Sequence, residues 1–160
     1  MKEAVDSSSK VIAESLAVKL GDGSMNSEQI KAVFNALPLE ITFTDENDII
    51  RYYSVPEVKL FSRKPEIIGT MVQNCHSEKS IDKVNKLLGD FRSGTRKSAE
   101  FLVEHDGKLV LTIYSAVKDA RGRYIGCLET AQDISAIKKL TGQKMVLMKL
   151  VNLIKKYISN

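Results

Sequence analysis

The spacing of apolar residues changes period along the chain. Between Lys2 and Leu20, Ile12, Leu16 and Leu20 recur every fourth residue with Val11 and Val18 beside them, the signature of one helical face. Gly21-Asp22-Gly23-Ser24 is turn composition, and Asn26 or Ser27 is placed to cap a second helix that ends near Leu37-Pro38. At Leu39 the period becomes two. Leu39 to Thr44 alternates apolar and polar residues, Asp45-Glu46-Asn47-Asp48 supplies turn formers, and Ile49 to Tyr53 is rich in β-formers, so the stretch predicts a hairpin.

From Pro56 to His76 no period holds, and short apolar pairs between two prolines and Gly69 predict brief helical turns. Helical spacing returns from Ser77 to Arg92, where Ile81, Val84, Leu87, Leu88 and Phe91 share a face and Ser93-Gly94 stops the element. Three strands follow: Ser98 to His105, Lys108 to Val117 and Tyr124 to Ala131. Asp106-Gly107 joins the first two, because a tight hairpin turn needs positive φ. Leu109 to Val117 is apolar in both phases, which predicts a sheet covered on both sides. Ser135 is placed to cap a last helix. Strands and helices in this order predict an α+β domain at 26–135, preceded by a helix and linker at 1–25 and followed by an amphipathic helix at 136–160.

Composition narrows the function classes. At 160 residues and 43% apolar content the chain fills one core, and the net charge of +4 is too small for a nucleic-acid footprint. The basic excess belongs to the last helix, with Lys138, Lys139, Lys144, Lys149, Lys155 and Lys156. Cys75 and Cys127 are too few for a disulfide framework and are expected reduced. With neither a signal-like leader nor an apolar run long enough to span a bilayer, the expected location is cytoplasmic. There is no Gly-rich phosphate loop, zinc-protease helix or nucleophile elbow, so a binding role is expected rather than catalysis.

Several segments together resemble a PAS domain. They are the first hairpin around Thr44-Asp45-Glu46-Asn47-Asp48, the stretch Phe61-Ser62-Arg63-Lys64-Pro65-Glu66-Ile67-Ile68-Gly69, and the closing Gly126-Cys127-Leu128-Glu129-Thr130-Ala131-Gln132-Asp133-Ile134-Ser135. The resemblance covers about Gln29 to Leu140. Asn35-Ala36-Leu37-Pro38, Asn74-Cys75-His76 with Lys79-Ser80, and Asp90-Phe91-Arg92-Ser93-Gly94 resemble more narrowly a prokaryotic PAS subgroup often found beside hemerythrin-like domains. The chain departs from that subgroup at Ser77-Glu78, where two prolines are usual, and at Leu102, where a tryptophan is common.

The resemblance implies a five-stranded antiparallel sheet forming a cup, helices as its other wall, flanking terminal helices, and a sensory role without catalysis. Phe61, Ile68, Leu87, Leu88, Phe91, Ile113 and Leu128 would supply the apolar lining of a small-molecule pocket, or pack together as a dry core. His76 is the candidate haem ligand, and thus the one metal-ligating residue, against the alternative that it hydrogen-bonds at the start of the helix beginning near Ser77. His105, beside its turn, is expected to be exposed. Cys75 is either a redox-sensitive thiol or a small buried hydrophobe; Asn74-Cys75 resembles the flavin-adduct motif of light-sensing relatives, but the Arg and Phe that follow that cysteine are absent. Cys75, His76, His105 and Cys127 lack the spacing of a zinc site.

In the last helix Ile137, Leu140, Leu147, Val151, Ile154 and Ile158 follow the three-and-four spacing of a coiled-coil seam, interrupted at Lys144. A homodimer through the terminal helices is the expected assembly. The same helix could instead cover the chain's own sheet, or lie on a membrane surface with its basic flanks outward.

Overall fold

A computed structural model describes residues 17–139. Val18–Leu20, the end of the expected N-terminal helix, is a strand (β1) that pairs antiparallel with Gly23–Met25 (β2). Two glycines within three residues permit a tight turn there, and the short apolar pair is then extended rather than helical. The remainder of that expected helix lies outside the described residues.

Helix α1, Ser27–Ala36, begins with a reciprocal cap: Asn26 Oδ1 accepts from the Gln29 amide at 2.8 Å, and Gln29 Oε1 accepts from the Asn26 amide at 2.9 Å. Leu37 is already extended, as expected ahead of Pro38. Phe34 meets Tyr52 edge to face at 5.6 Å, and Asn35 accepts from the Val55 amide, so α1 is held against the first hairpin.

That hairpin is β3 (Glu40–Asp45) and β4 (Ile50–Tyr53). Asp45 builds its turn by accepting from the amides of Asn47 and Ile49 and pairing with Arg51 at 2.6 Å. The irregular stretch resolves into two 3-10 turns, Pro65–Ile67 and Val72–Cys75, tied to the hairpin by Ile50–Thr70, Gly69–Ile50 and Val72–Asp48 backbone hydrogen bonds. Helix α2 spans Glu78–Arg92. Strands β5 (Ser98–His105), β6 (Lys108–Lys118) and β7 (Tyr124–Asp133) complete an antiparallel sheet of order β4-β3-β7-β6-β5. The β5–β6 turn takes positive φ at both Asp106 and Gly107, as its dipeptide predicts.

Helix α2 lies over the inner face of this sheet. Leu88, Phe91, Ala99 and Cys127 form the core there, with Val72, Val84, Leu87, Tyr114, Ala116 and Tyr124 packed around them. At Gly126 an added Cβ would sit 2.2 Å from the Thr44 carbonyl oxygen, so the close approach of β7 to β3 requires glycine.

Ser135 does not serve as the expected helix cap. Its hydroxyl accepts from the Leu109 amide at 2.9 Å, while Asp133 Oδ1 accepts from the Ser135 amide. Residues 135–139 are helical, and the Lys138 amide bonds the Ile134 carbonyl. Of the predicted seam, Ile137 is described and Leu140, Leu147, Val151, Ile154 and Ile158 lie outside the described residues.

Candidate functional site

Side chains alternate across a strand, so the register fixes which residues look toward α2. Thr42 and Tyr114 flank Glu129, Thr44 and Ala116 flank Cys127, and Phe101 lies beside Thr112; these form the inner face. Near the C-terminal half of α2 that face is closed by Phe91, which is fully buried. Near its N-terminal half the sheet and helix part.

The space between them is a cavity of about 950 Å³, bounded by α2, the segment from Leu60 to His76, and the inner faces of β3, β5, β6 and β7. Its volume is within the range of small-molecule sites, roughly 300–1,000 Å³. Leu60, Phe61, Val84, Leu87, Phe101 and Val103 make most of the apolar wall. Phe101 and Val103 face inward yet remain 48% and 44% exposed, because the cavity opens along the edge strand β5.

A polar cluster is set into the wall. Glu40 on β3 is only 3% exposed, and its Oε1 accepts from the backbone amides of Leu60 and Phe61. Arg63, two residues beyond Phe61, reaches Glu40 Oε2 at 3.6 Å and Glu129 at 3.5 Å, with its guanidinium 5.6 Å from the Phe61 ring centre. A buried carboxylate thus holds the Leu60–Lys64 strap over the cavity, since without these donors its desolvation would be uncompensated. Tyr114 stands beside Glu129 across the β6–β7 pair. Burial first, and then the neighbouring Glu129 charge, push the Tyr114 phenol well above its ordinary value, so it remains a donor to that carboxylate.

The sequence-predicted pocket residues divide. Phe61, Leu87, Leu88, Cys75 and His76 line the cavity. Phe91 instead belongs to the closed core, and Ile68 is 44% exposed beside the first 3-10 turn. Ile113 and Leu128 alternate with inward-facing Thr112, Tyr114, Cys127 and Glu129 and therefore point to the opposite face. His105 is not simply exposed. Its ring lies 5.1 Å from that of Phe61, and both line the cavity mouth.

His76 hydrogen-bonds backward, not into α2: its Nδ1 donates to the Val72 carbonyl at 2.9 Å, which leaves Nε2 as the lone-pair nitrogen of the neutral ring. Cys75 is exposed at the cavity wall, and burial raises its pKa, against the pull of Arg63. The Cys127 thiol is buried and pushed up to about 12, chiefly by desolvation. Both groups are thiols rather than thiolates at neutral pH. Cys75, His76, His105 and Cys127 line one cavity, but among the described residues no three His, Cys, Asp or Glu side chains are arranged to hold a metal ion.

Glu40, Arg63, Glu129 and Tyr114 were absent from the sequence-based candidates. The available signal was two acidic residues, Glu40 and Glu129, inside otherwise strand-forming stretches, with an arginine in the irregular segment between.

A family model described as PAS domain matches residues 30–135. Among solved structures, the C-terminal domain of a Streptococcus mutans protein is 37% identical, with a TM-score of 0.71 over 78% of this chain and 96% of that one. The PAS domain of Bordetella pertussis BvgS has 13% identity and a TM-score of 0.54, covering 76% of this chain and 96% of that one. Phage VqmA, solved as a VqmA-DPO complex, has 14% identity and a TM-score of 0.56, covering 76% of this chain and 58% of that one. No curated protein matches the chain.

Proposed function

The chain belongs to the PAS domain family, and on that premise we propose that it is a sensory module that binds a small molecule in the cavity beneath α2. The observation that carries this reading is the open half of the inner space, an apolar chamber into which a charged, hydrogen-bonded cluster is built. A domain whose helix face served only as core would close that space as tightly as Phe91 closes the other half. The site contributes binding groups and an enclosing strap, and the reading requires no catalytic step.

Output in this reading passes to the helix that starts at residue 135. Ser135 and Ile134 are both hydrogen-bonded to Leu109 at the start of β6, the strand that presents Thr112 and Tyr114 to the cavity. A ligand that favours one arrangement of the strap and strands can shift the helix only through a difference in affinity between two states. Dimerisation along the seam from Ile137 to Ile158 belongs to the same proposal; light scattering should give a smaller mass for a chain ending at Leu140 than for the full chain, and equal masses refute it.

To test the binding role, the full chain is purified, denatured, and the released small molecules are identified by mass spectrometry, in parallel with Val84→Phe, which places a larger side chain in the cavity. A molecule released near one per chain from the wild type and depleted in the variant is the expected outcome. Equal release from both places the molecule elsewhere.

Haem is a second reading, favoured by the His76 tautomer. With Nδ1 committed to the Val72 carbonyl, Nε2 is the free ligating nitrogen, an arrangement common to metal-bound histidines. The cavity residues fit such a group in part: His76 would hold the iron, and Lys64 and Lys83 would face its carboxylates. Bound there, haem would supply a gas-binding or redox centre. Adding haem to the full chain should produce a Soret band that His76→Ala removes or shifts; an unchanged band excludes His76 as the axial ligand.

A further inference from the structure

The cluster on the cavity wall also limits which molecules suit it, an inference that rests on the binding role above. Glu40 and Glu129 contribute two carboxylates, and Arg63 contributes the one guanidinium set between them, its side chain only 16% exposed. Glu40 is buried and is not part of the cavity lining: its Oε1 receives the Leu60 and Phe61 amides, and its Oε2 has only the Arg63 Nε contact at 3.6 Å. Glu129 differs. It lines the cavity, its side chain is 17% exposed, and it is met by Arg63 at 3.5 Å and by the Tyr114 hydroxyl, which leaves acceptor positions of the carboxylate toward the cavity. The inner wall therefore carries one more negative than positive charge in a region of reduced solvent, where the imbalance is felt more strongly than at the surface.

Two aromatic rings lie on the same wall. Tyr114 adjoins Glu129 across the strands, and Phe101 meets Tyr114 edge to face at 5.7 Å. A carboxylate beside aromatic faces is the environment that favours a cationic nitrogen, through a charge-assisted hydrogen bond and attraction to the rings. A carboxylate ligand would meet Glu129 as a like charge, and the Arg63 guanidinium is already engaged by Glu129 and Glu40. Lys64 and Lys83 also line the cavity, but both are exposed at its mouth, where solvent screens them.

We propose that the cavity selects a small amine: an apolar or aromatic body against Leu87, Val84, Phe101 and Val103, with its protonated nitrogen directed to Glu129. Glu129 is then the specificity-determining residue, and Arg63 is the internal cation that shares its carboxylate.

The test compares three near-isosteric probes on the full chain by isothermal titration: 2-phenylethylamine, 2-phenylethanol and phenylacetate. The amine should bind about tenfold or more tightly than either of the others, the discrimination expected from one charge-assisted hydrogen bond. In Glu129→Gln, checked for a wild-type circular dichroism spectrum, that preference should disappear while the alcohol binds as before. Equal or stronger binding of phenylacetate or 2-phenylethanol to the wild type overturns the amine assignment and leaves the binding role standing. Absence of binding by all three also overturns it, and the released-molecule experiment then decides the binding role separately. Because the wild-type comparison stands alone, a Glu129→Gln chain that fails to fold does not remove the test.

Discussion

The two halves of the space beneath α2 are built from the same helix and the same sheet face, yet they are finished differently. Toward the end of the helix, Phe91 and Leu88 close on Ala99 and Cys127, and Arg92 latches the helix to the first hairpin through Asp48 at 2.7 Å and the Glu46 carbonyl at 3.2 Å. Toward its start, the sheet presents Thr44, Thr112, Tyr114 and Glu129 to a cavity, and a strap held by one buried carboxylate takes the place of packing. Close packing of apolar groups stabilises the first half without further help. In the second, polar groups face the chamber, and two buried atoms of the cluster, Glu40 Oε2 and Arg63 Nε, lack a hydrogen-bond partner.

The largest effect that separates the halves is expected from truncation. Phe91→Ala should cost about 3–5 kcal/mol in urea unfolding, since it empties a close-packed site, whereas Leu87→Ala should cost about 2 kcal/mol or less because its side chain already borders open space. Equal losses would mean that the two halves are packed alike.

Next in size is the strap. Glu40→Ala removes the acceptor of the Leu60 and Phe61 amides and leaves Arg63 with one carboxylate, so a loss of about 3 kcal/mol is expected. Limited proteolysis should then cut between Glu57 and Lys64 well before global unfolding. Resistance equal to that of the wild type would show that the strap is held by other contacts.

The smallest effect concerns the latched half and acid. Burial raises the Asp45 pKa, but hydrogen bonds from Arg51 and from the Ile49 and Asn47 amides outweigh it, and the net shift is downward from 3.8. A depressed folded-state value means that this stabilisation is fully present above the unfolded value and is lost as pH falls through the folded one, below 3.8. Asp45→Asn should therefore flatten the acid limb of the stability profile, measured by chemical unfolding from pH 5 downward. An identical limb would remove Asp45 from the account.

How much of this was legible in the sequence follows the same division. Turn residues with a conformational requirement placed the hairpins: Asp106-Gly107 fixed one register, and Asp45 to Asp48 placed another turn, while Ile81, Val84, Leu87, Leu88 and Phe91 identified the inner face of α2. The five-stranded antiparallel sheet came from the family resemblance, and its strand order from neither source, because antiparallel pairing of β3 with β7 across 80-odd residues leaves no local mark. The site was less legible. Choosing apolar Ile113 and Leu128 for the pocket selected the wrong phase of β6 and β7, since an alternating strand defines two faces without saying which one meets the helix. Glu40 and Arg63 come together through a long irregular segment, whose path no period describes.

The binding role requires that the space near the start of α2 be open in solution rather than collapsed into core. The most direct test is the unfolding free energy of Val84→Phe relative to the wild type, both in urea after removal of any bound molecule. An open cavity accepts the larger ring, and the variant should match the wild type to within about 0.5 kcal/mol or exceed it. A loss of about 1–3 kcal/mol, the usual consequence of forcing bulk into a filled interior, would contradict the account.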